Sequence, residues 1–149
     1  YMEAKSSFRI RNVNGKKEIY DVVRRVFVAL TQEEMVRQAY LKYLIEEIEV
    51  PIIAISVEKQ VIYNSMHKRY DIVVANPRDG STLLIVECKA ETVRLDESSL
   101  YQIAMYNSKL NSKYLVLLNG KQQIVLKKTA TKYELIDSLP NYSDMISQE

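Results

Sequence analysis

The sequence predicts a fold of helices and strands, α/β in the broad sense and α+β in the narrower one, in which helices flank a mixed central β-sheet. Three observations lead to this prediction. Residues 70–89 hold two aliphatic runs around a turn, as in a buried hairpin. Residues 31–50 have apolar side chains at helical spacing. The predicted elements run helix, three strands, helix and two strands, an order that places helices on both faces of one sheet.

The first predicted element is an N-terminal β-ribbon, because Asn14-Gly15 is the commonest signal for a two-residue hairpin turn. Residues 21–30 fit neither a helix nor a strand template, so we interpret them as a packed connection. Thr31 and Glu34 fit a capping box, which predicts a helix from about Gln32 to Ile48.

Pro51 ends this helix, and the alternation of apolar residues over 53–62 predicts the first strand of the main sheet. The hairpin supplies the next two strands. Asp96 or Ser98 then caps a second helix. The later predicted strands are 114–118, 123–126 and a short element at 133–136.

Length and composition narrow the class of protein. A chain of 149 residues fits one domain, with a core over about residues 20–127 and frayed ends at 1–7 and 141–149. No apolar run approaches the roughly 20 residues that span a bilayer, so we expect no membrane segment. A net charge of +2 decides nothing about partners.

The chain has one cysteine and one histidine, which excludes several kinds of bond and catalytic site. Cys88 cannot form an internal disulfide, and its apolar strand predicts a buried structural thiol, as in a reducing cytoplasm. His67 has no partner of the catalytic-triad type. No phosphate-binding loop of the GxxxxGK[ST] kind occurs, so we expect no nucleotide cofactor.

The central hairpin ends in charged residues. With a turn near Arg78, opposite residues have numbers that sum to about 156 to 158, so Asp71 faces residues 85–87. Side chains alternate along a strand, so Glu87 and Lys89 point to one side and Cys88 to the other. Two carboxylates and one ammonium group therefore converge at the end of an apolar hairpin.

Such charges are costly to bury unless they are paired or hold a cation, and carboxylate oxygens suit Mg²⁺. One interpretation of Asp71, Glu87 and Lys89 is metal-assisted phosphodiester hydrolysis, with Lys89 orienting the water and stabilising charge on the phosphoryl oxygens. The other is a set of surface ion pairs worth less than about 1 kcal/mol each. The buried run at 83–86 favours the first.

Other polar residues are candidates for the same site. Glu33 and Glu34 lie at the start of the first helix, where the helix dipole favours anions; capping explains Glu34, so Glu33 is preferred. The remaining candidates have weaker signals. Lys68 and Arg69 are candidates for backbone-phosphate contacts, with solvated surface charge as the equal alternative. Gln102 and Tyr106 are candidates to support the site from the second helix, with an ordinary half-exposed helix face as the alternative.

This pattern resembles the PD-(D/E)xK nuclease superfamily: Glu33 or Glu34 in the first helix, Asp71 opening the hairpin, and Glu87-Cys88-Lys89 on its second arm. The segments LTQEEMVRQAYLKYLIEE, KRYDIVV, LLIVECKAETVRLDESSLYQIAMYNSKL and YLVLLNG look like the N-terminal nuclease domain of type I restriction enzyme R subunits, over about residues 20–127. The resemblance implies a restriction-endonuclease-like fold with an αβββαβ core, and Gln102 and Tyr106 match its QxxxY element.

The chain also departs from that pattern. Tyr70 stands where the superfamily has Pro before the Asp, and Gln32 where the helix often begins with Pro. R subunits carry an ATP-driven translocase, which this chain has no room for, so it resembles a free-standing domain or a fragment.

The resemblance implies a Mg²⁺-dependent deoxyribonuclease, with Mn²⁺ able to substitute. Its expected partners are DNA, a protein that supplies specificity or translocation, and a second copy of the chain in a homodimer. The alternative hypothesis is a DNA-binding or assembly module of the same fold that is inactive alone. The third is a structural, protein-binding role for the 11 tyrosines, several of which have core-helix spacing.

Overall fold

The computed structural model describes residues 8–63, 65–100, 102 and 111–147. Its strands form two sheets. The first is antiparallel and has three strands, β1 (Ile10–Val13), β2 (Lys16–Asp21) and β3 (Val26–Ala29). The second has six strands in sequence order, which are β4 (Ile55–Tyr63), β5 (Met66–Ala75), β6 (Thr82–Cys88), β7 (Tyr114–Leu118), β8 (Gln123–Lys128) and β9 (Tyr133–Ile136).

The six-stranded sheet is mixed, because β6 and β7 are parallel and its other neighbouring strands are antiparallel. A parallel pair needs a crossover connection, and residues 97–100 and 102, which are helical, lie in the connection from β6 to β7. β6 is buried from Leu83 to Cys88, as the continuous apolar run of a central strand predicts.

Helices lie on both faces of this sheet. Helix α1 (Gln32–Glu46) packs its buried Tyr40, Leu41 and Leu44 into the main core. The helical residues of the crossover lie over the other face, where Ser99 and Gln102 share a cavity with Leu117. The mixed sheet between helices is therefore confirmed. None of the helices in the described part of the chain is long and apolar enough to cross a membrane.

The predicted helix ends are largely confirmed. The Thr31 hydroxyl accepts a hydrogen bond from Glu34 N at 3.0 Å, so Thr31 is the N-cap of α1. Asp96, rather than Ser98, caps the crossover helix, because Asp96 Oδ1 accepts from Ser99 N at 3.1 Å. The Asn14-Gly15 turn also forms, and both residues have the positive φ that such a turn requires, 52° and 80°.

Three predictions about local structure are wrong. Residues 21–30 contain β3, whose half-exposed residues give no clear alternation. Residues Ile52–Ala54 form a 3-10 turn ahead of β4, so Ile53 is 95% exposed rather than the first residue of a strand. Residues Tyr142–Ser147 form helix α2 rather than a frayed end, because Met145 is fully buried in the main core. Residues 1–7 lie outside the described part of the chain.

Candidate active site

The hairpin of β5 and β6 aligns the two predicted carboxylates. Ile72 pairs with Val86 and Val73 with Ile85, numbers that sum to 158, so Asp71 lies opposite Glu87, as the sequence predicts. Cys88 N donates a hydrogen bond to Asp71 Oδ2 at 2.7 Å. The strand backbone itself therefore holds the Asp71 carboxylate at the end of the hairpin.

Asp71 has a second partner that the sequence did not predict. Arg37 Nη2, from helix α1, donates to Asp71 Oδ1 at 3.3 Å. The Arg37 side chain is only 6% exposed, and the same guanidinium contacts Glu34 and Glu58. The surrounding carboxylates outweigh the effect of burial and raise the pKa of Arg37 above its usual value, so it stays charged. Asp71 is thus fixed from two directions.

Glu87 is buried and only half satisfied. It is 7% exposed, and its Oε2 accepts a hydrogen bond from Lys68 Nζ at 3.3 Å. Its Oε1 is buried without a hydrogen-bond partner in the described structure. Desolvation, with repulsion from Asp71 as the next cause, raises the pKa of Glu87 from 4.5 to about 7. A buried carboxylate oxygen without a donor is uncommon and calls for a cation, a water or a proton.

Lys89 and Gln102 line the same cavity as Glu87. A cavity of about 30 Å³ is lined by Glu87, Lys89 and Gln102, with Lys68, Tyr70, Ser99 and Leu117 around them. This volume is enough for a water or a small cation, which needs roughly 10 to 15 Å³. The structure therefore brings together one carboxylate, two ammonium groups and one amide around a small polar space.

The two helix carboxylates have different surroundings. Glu34 is buried, and its carboxylate accepts hydrogen bonds from Arg24, Arg37 and Gln38 at 3.3, 3.3 and 3.0 Å. The capping interpretation of Glu34 was therefore incomplete, because Thr31 accepts from its backbone N–H while its carboxylate binds other side chains. Glu33 is exposed, and its pKa is raised by partial burial and by repulsion from Asp71, against attraction to Arg37 and Lys89. Glu33 thus acts electrostatically on the site.

The other predicted residues fall into three groups. Lys68 pairs with Glu87 at 3.3 Å and also lies over the Tyr70 ring. Arg69 is exposed and points to the side of β5 away from Lys68. Tyr106 lies outside the described residues. Cys88 is buried on the α1 face, and burial raises the pKa of its thiol, as expected of a structural cysteine.

The sequence interpretation missed a network of charges beside the site. Arg24, in the turn after β2, contacts Asp21 at 2.7 Å, Glu58 at 3.2 Å and Glu34 at 3.3 Å. Arg37 contacts Glu34 and Glu58 as well, and it also contacts Asp71. The network therefore links the three-stranded sheet to the site. One signal was available: Arg37 lies on the inner face of α1 between Val36 and Tyr40, where a charge needs a partner.

The side chains present fit a divalent cation. In the described part of the chain, no three His, Cys, Asp or Glu side chains form a ready metal-binding group. Mg²⁺ does not need one, because it usually keeps several waters and uses one or two protein carboxylates. Glu87, whose Oε1 has no hydrogen-bond partner among the described residues, and Asp71, whose charge acts on it, are two carboxylates of the kind that such a site uses.

A mixed sheet whose central hairpin carries Asp71 opposite Glu87-Cys88-Lys89 defines the restriction-endonuclease-like class of folds. Comparison with protein families narrows this class. The chain belongs to the family described as the type I restriction enzyme R protein N terminus, whose model matches residues 32–140. The family indicates a nuclease-type domain of type I restriction enzymes. The predicted resemblance is confirmed.

Among solved structures, the chain is similar to a fragment of a protein assigned as an HsdR subunit of a type I restriction enzyme, from Vibrio vulnificus YJ016. The TM-score is 0.57 and the identity is 18% over 77% of this chain, a likeness that shows the fold alone. The chain spans 24% of the length of that structure. A search of curated proteins found no match.

Proposed function

We propose that this chain is a Mg²⁺-dependent deoxyribonuclease that hydrolyses phosphodiester bonds, with Asp71 and Glu87 as the metal ligands. One observation carries the proposal. Among the described residues, Glu87 Oε1 is buried without a hydrogen-bond donor, the charge of Asp71 acts on this carboxylate, and Glu87 lines the same cavity as Lys89. Burying a carboxylate that is only partly compensated destabilises the fold, so a function that uses this carboxylate explains why it is there.

The proposed roles of the side chains follow from their contacts. When bound, Mg²⁺ polarises a phosphoryl oxygen and lowers the pKa of a coordinated water. Asp71 is held for this role by Arg37 and by Cys88 N. Lys89 orients the attacking water and stabilises negative charge on the phosphoryl oxygens. Lys68 fixes one oxygen of Glu87 and leaves the other available.

The outer residues of the proposed site assist. Glu33 adds negative charge near Asp71 and Lys89, which strengthens the attraction for a cation. Gln102 borders the cavity and supports Lys89 or a phosphate there. Arg69 contributes a sequence-independent phosphate contact from the exposed side of β5. The role of Tyr106 in this set depends on the family resemblance alone.

A second candidate is a DNA-binding or assembly module of the same fold that cuts only with a partner. A specific observation favours it: both oxygens of Asp71 already accept hydrogen bonds, from Arg37 and from Cys88 N. The site is therefore partly neutralised by the chain's own groups. A partner subunit that supplies specificity or translocation, or a second copy of the chain, would then complete it.

The decisive experiment measures cleavage of plasmid and single-stranded DNA by the pure protein with Mg²⁺ or Mn²⁺. We expect Asp71→Ala and Lys89→Ala to abolish cleavage while the protein stays folded. Glu91→Ala is the control, because Glu91 lies shortly after Lys89 on the chain but has a side chain that is 55% exposed and that pairs with Lys121 at the surface. Intact DNA binding without cutting by the unmodified protein would favour the second candidate.

A further inference from the structure

The N-terminal part of the chain has an unusual share of the positive charge. Residues 8–30 contain six basic and two acidic residues, a net charge of +4, whereas the whole chain has +2. The other residues therefore carry −2 together. Such asymmetry indicates a surface for a polyanion. The three-stranded sheet that these residues form precedes the family match at residues 32–140, so the family assigns it no role.

The register of the sheet places arginine and aromatic side chains on one face. Tyr20 pairs with Phe27 across β2 and β3, and Tyr20 N donates to Arg9 O at 2.8 Å on the other side. Arg11, two residues after Arg9, shares its face by strand alternation. The Tyr20 and Phe27 rings meet edge to face with centroids 5.2 Å apart. We call this face the arginine face.

The two guanidinium groups stack on these rings. The Arg9 guanidinium lies 4.4 Å from the centroid of Tyr20, and that of Arg11 lies 4.0 Å from the centroid of Phe27. Arg11 Nε also binds Glu18 at 2.7 Å, while Arg9 makes no ion pair among the described residues. Both arginines are exposed. Stacking leaves the N–H edges of a guanidinium available and reduces the entropy that binding would cost.

We propose that the arginine face binds the sugar-phosphate backbone of DNA without reading its sequence. The guanidiniums cover the rings, and their N–H edges are suited to bind phosphate oxygens, the groups that sequence-independent contacts use. The location also fits, because Arg24 ties the turn after β2 to Glu34 and Glu58, which Arg37 joins to Asp71. DNA as the ligand rests on the proposed function, whereas the surface itself rests on charge and stacking.

The test measures DNA affinity as a function of salt, using a labelled duplex oligonucleotide with EDTA in the Lys89→Ala background, so that cleavage does not interfere. Each phosphate contact contributes about 0.9 to the slope of log K against log salt. Replacing Arg9 and Arg11 by Ala should reduce the slope by about 1.8 and weaken binding about 60-fold at roughly 0.1 M salt. Replacing both by Lys should restore the slope, because the charges return.

The matched control is Arg78→Ala with Lys132→Ala, which removes two exposed charges at the other end of the six-stranded sheet. The proposal is overturned if the arginine-face pair behaves like this control pair. The measurements distinguish failure of this proposal from failure of the nuclease proposal. Loss of binding in the Ala pair, without metal-dependent cleavage by the unmodified protein, supports the surface alone. Metal-dependent cleavage by the unmodified protein, together with unchanged DNA affinity of the Ala pair, supports the nuclease alone.

Discussion

The buried Glu87 carboxylate should make the stability of the metal-free protein fall as pH rises. Its pKa is about 7 in the folded chain against 4.5 ordinarily, so the folded state holds a proton that the unfolded state has lost between these values. The stability that this proton contributes is therefore fully present below about pH 4.5 and is lost as pH rises through about 7. At about 1.36 kcal/mol per pKa unit, the whole effect is about 3 kcal/mol.

Glu87→Gln removes this titration with little change in shape. We expect the variant and the unmodified protein to be close in stability at about pH 5. At about pH 8 the variant should have gained about 2.5 kcal/mol relative to the unmodified protein. The assay is urea unfolding with EDTA, followed at several pH values. Glu91→Gln makes the same change of charge at an exposed side chain and should show no such divergence.

The reasoning is refuted if the stability difference between Glu87→Gln and the unmodified protein stays constant with pH, or if the unmodified protein gains on the variant. Added Mg²⁺ extends the test. A cation that binds the ionised carboxylate should reduce the loss at high pH in the unmodified protein and leave Glu87→Gln unchanged. Equal stabilisation of both proteins by Mg²⁺ would place the cation elsewhere.

Three further perturbations test separate parts of the structure. Arg37→Met should cost roughly 3 to 5 kcal/mol in urea unfolding, because Glu34 and Asp71 lose a buried counter-charge; a loss below about 1 kcal/mol would contradict the buried network. Thr31→Ala should cost about 1 kcal/mol without changing any cleavage rate, since the hydroxyl caps α1 and is not one of the proposed site groups. The Cys88 thiol should react with a thiol reagent only after denaturant is added; rapid labelling of the native protein would contradict its burial.

The sequence was most informative where structure is determined locally. The aliphatic arms and the turn of the hairpin fixed the register that sets Asp71 opposite Glu87, because side-chain alternation and pairing are short-range rules. The N-cap at Thr31 followed from a four-residue pattern for the same reason.

Long-range contacts were harder to predict. Arg37 lies 34 positions from Asp71, and only the packing of α1 on the sheet brings them together. The burial of α2 has the same origin: half of its six residues, YSDMIS, are Ser or Asp, yet Tyr142 and Met145, three apart, share one buried face. Tertiary packing overrode composition at that helix.

The hydrogen bond from Cys88 N to Asp71 has a consequence for how the chain tolerates sequence change. A main-chain N–H belongs to every residue except proline, so the identity of the side chain at position 88 matters for packing alone, and small apolar substitutes should keep the carboxylate in place. The pairing register of the strand, in contrast, does not tolerate change. A shift of one residue would turn Glu87 toward the α1 face and bring an aliphatic side chain to the cavity. Retention of the site as the sequence changes therefore depends less on the side chains next to the carboxylates than on the register of β5 and β6. Many apolar sequences can maintain this register.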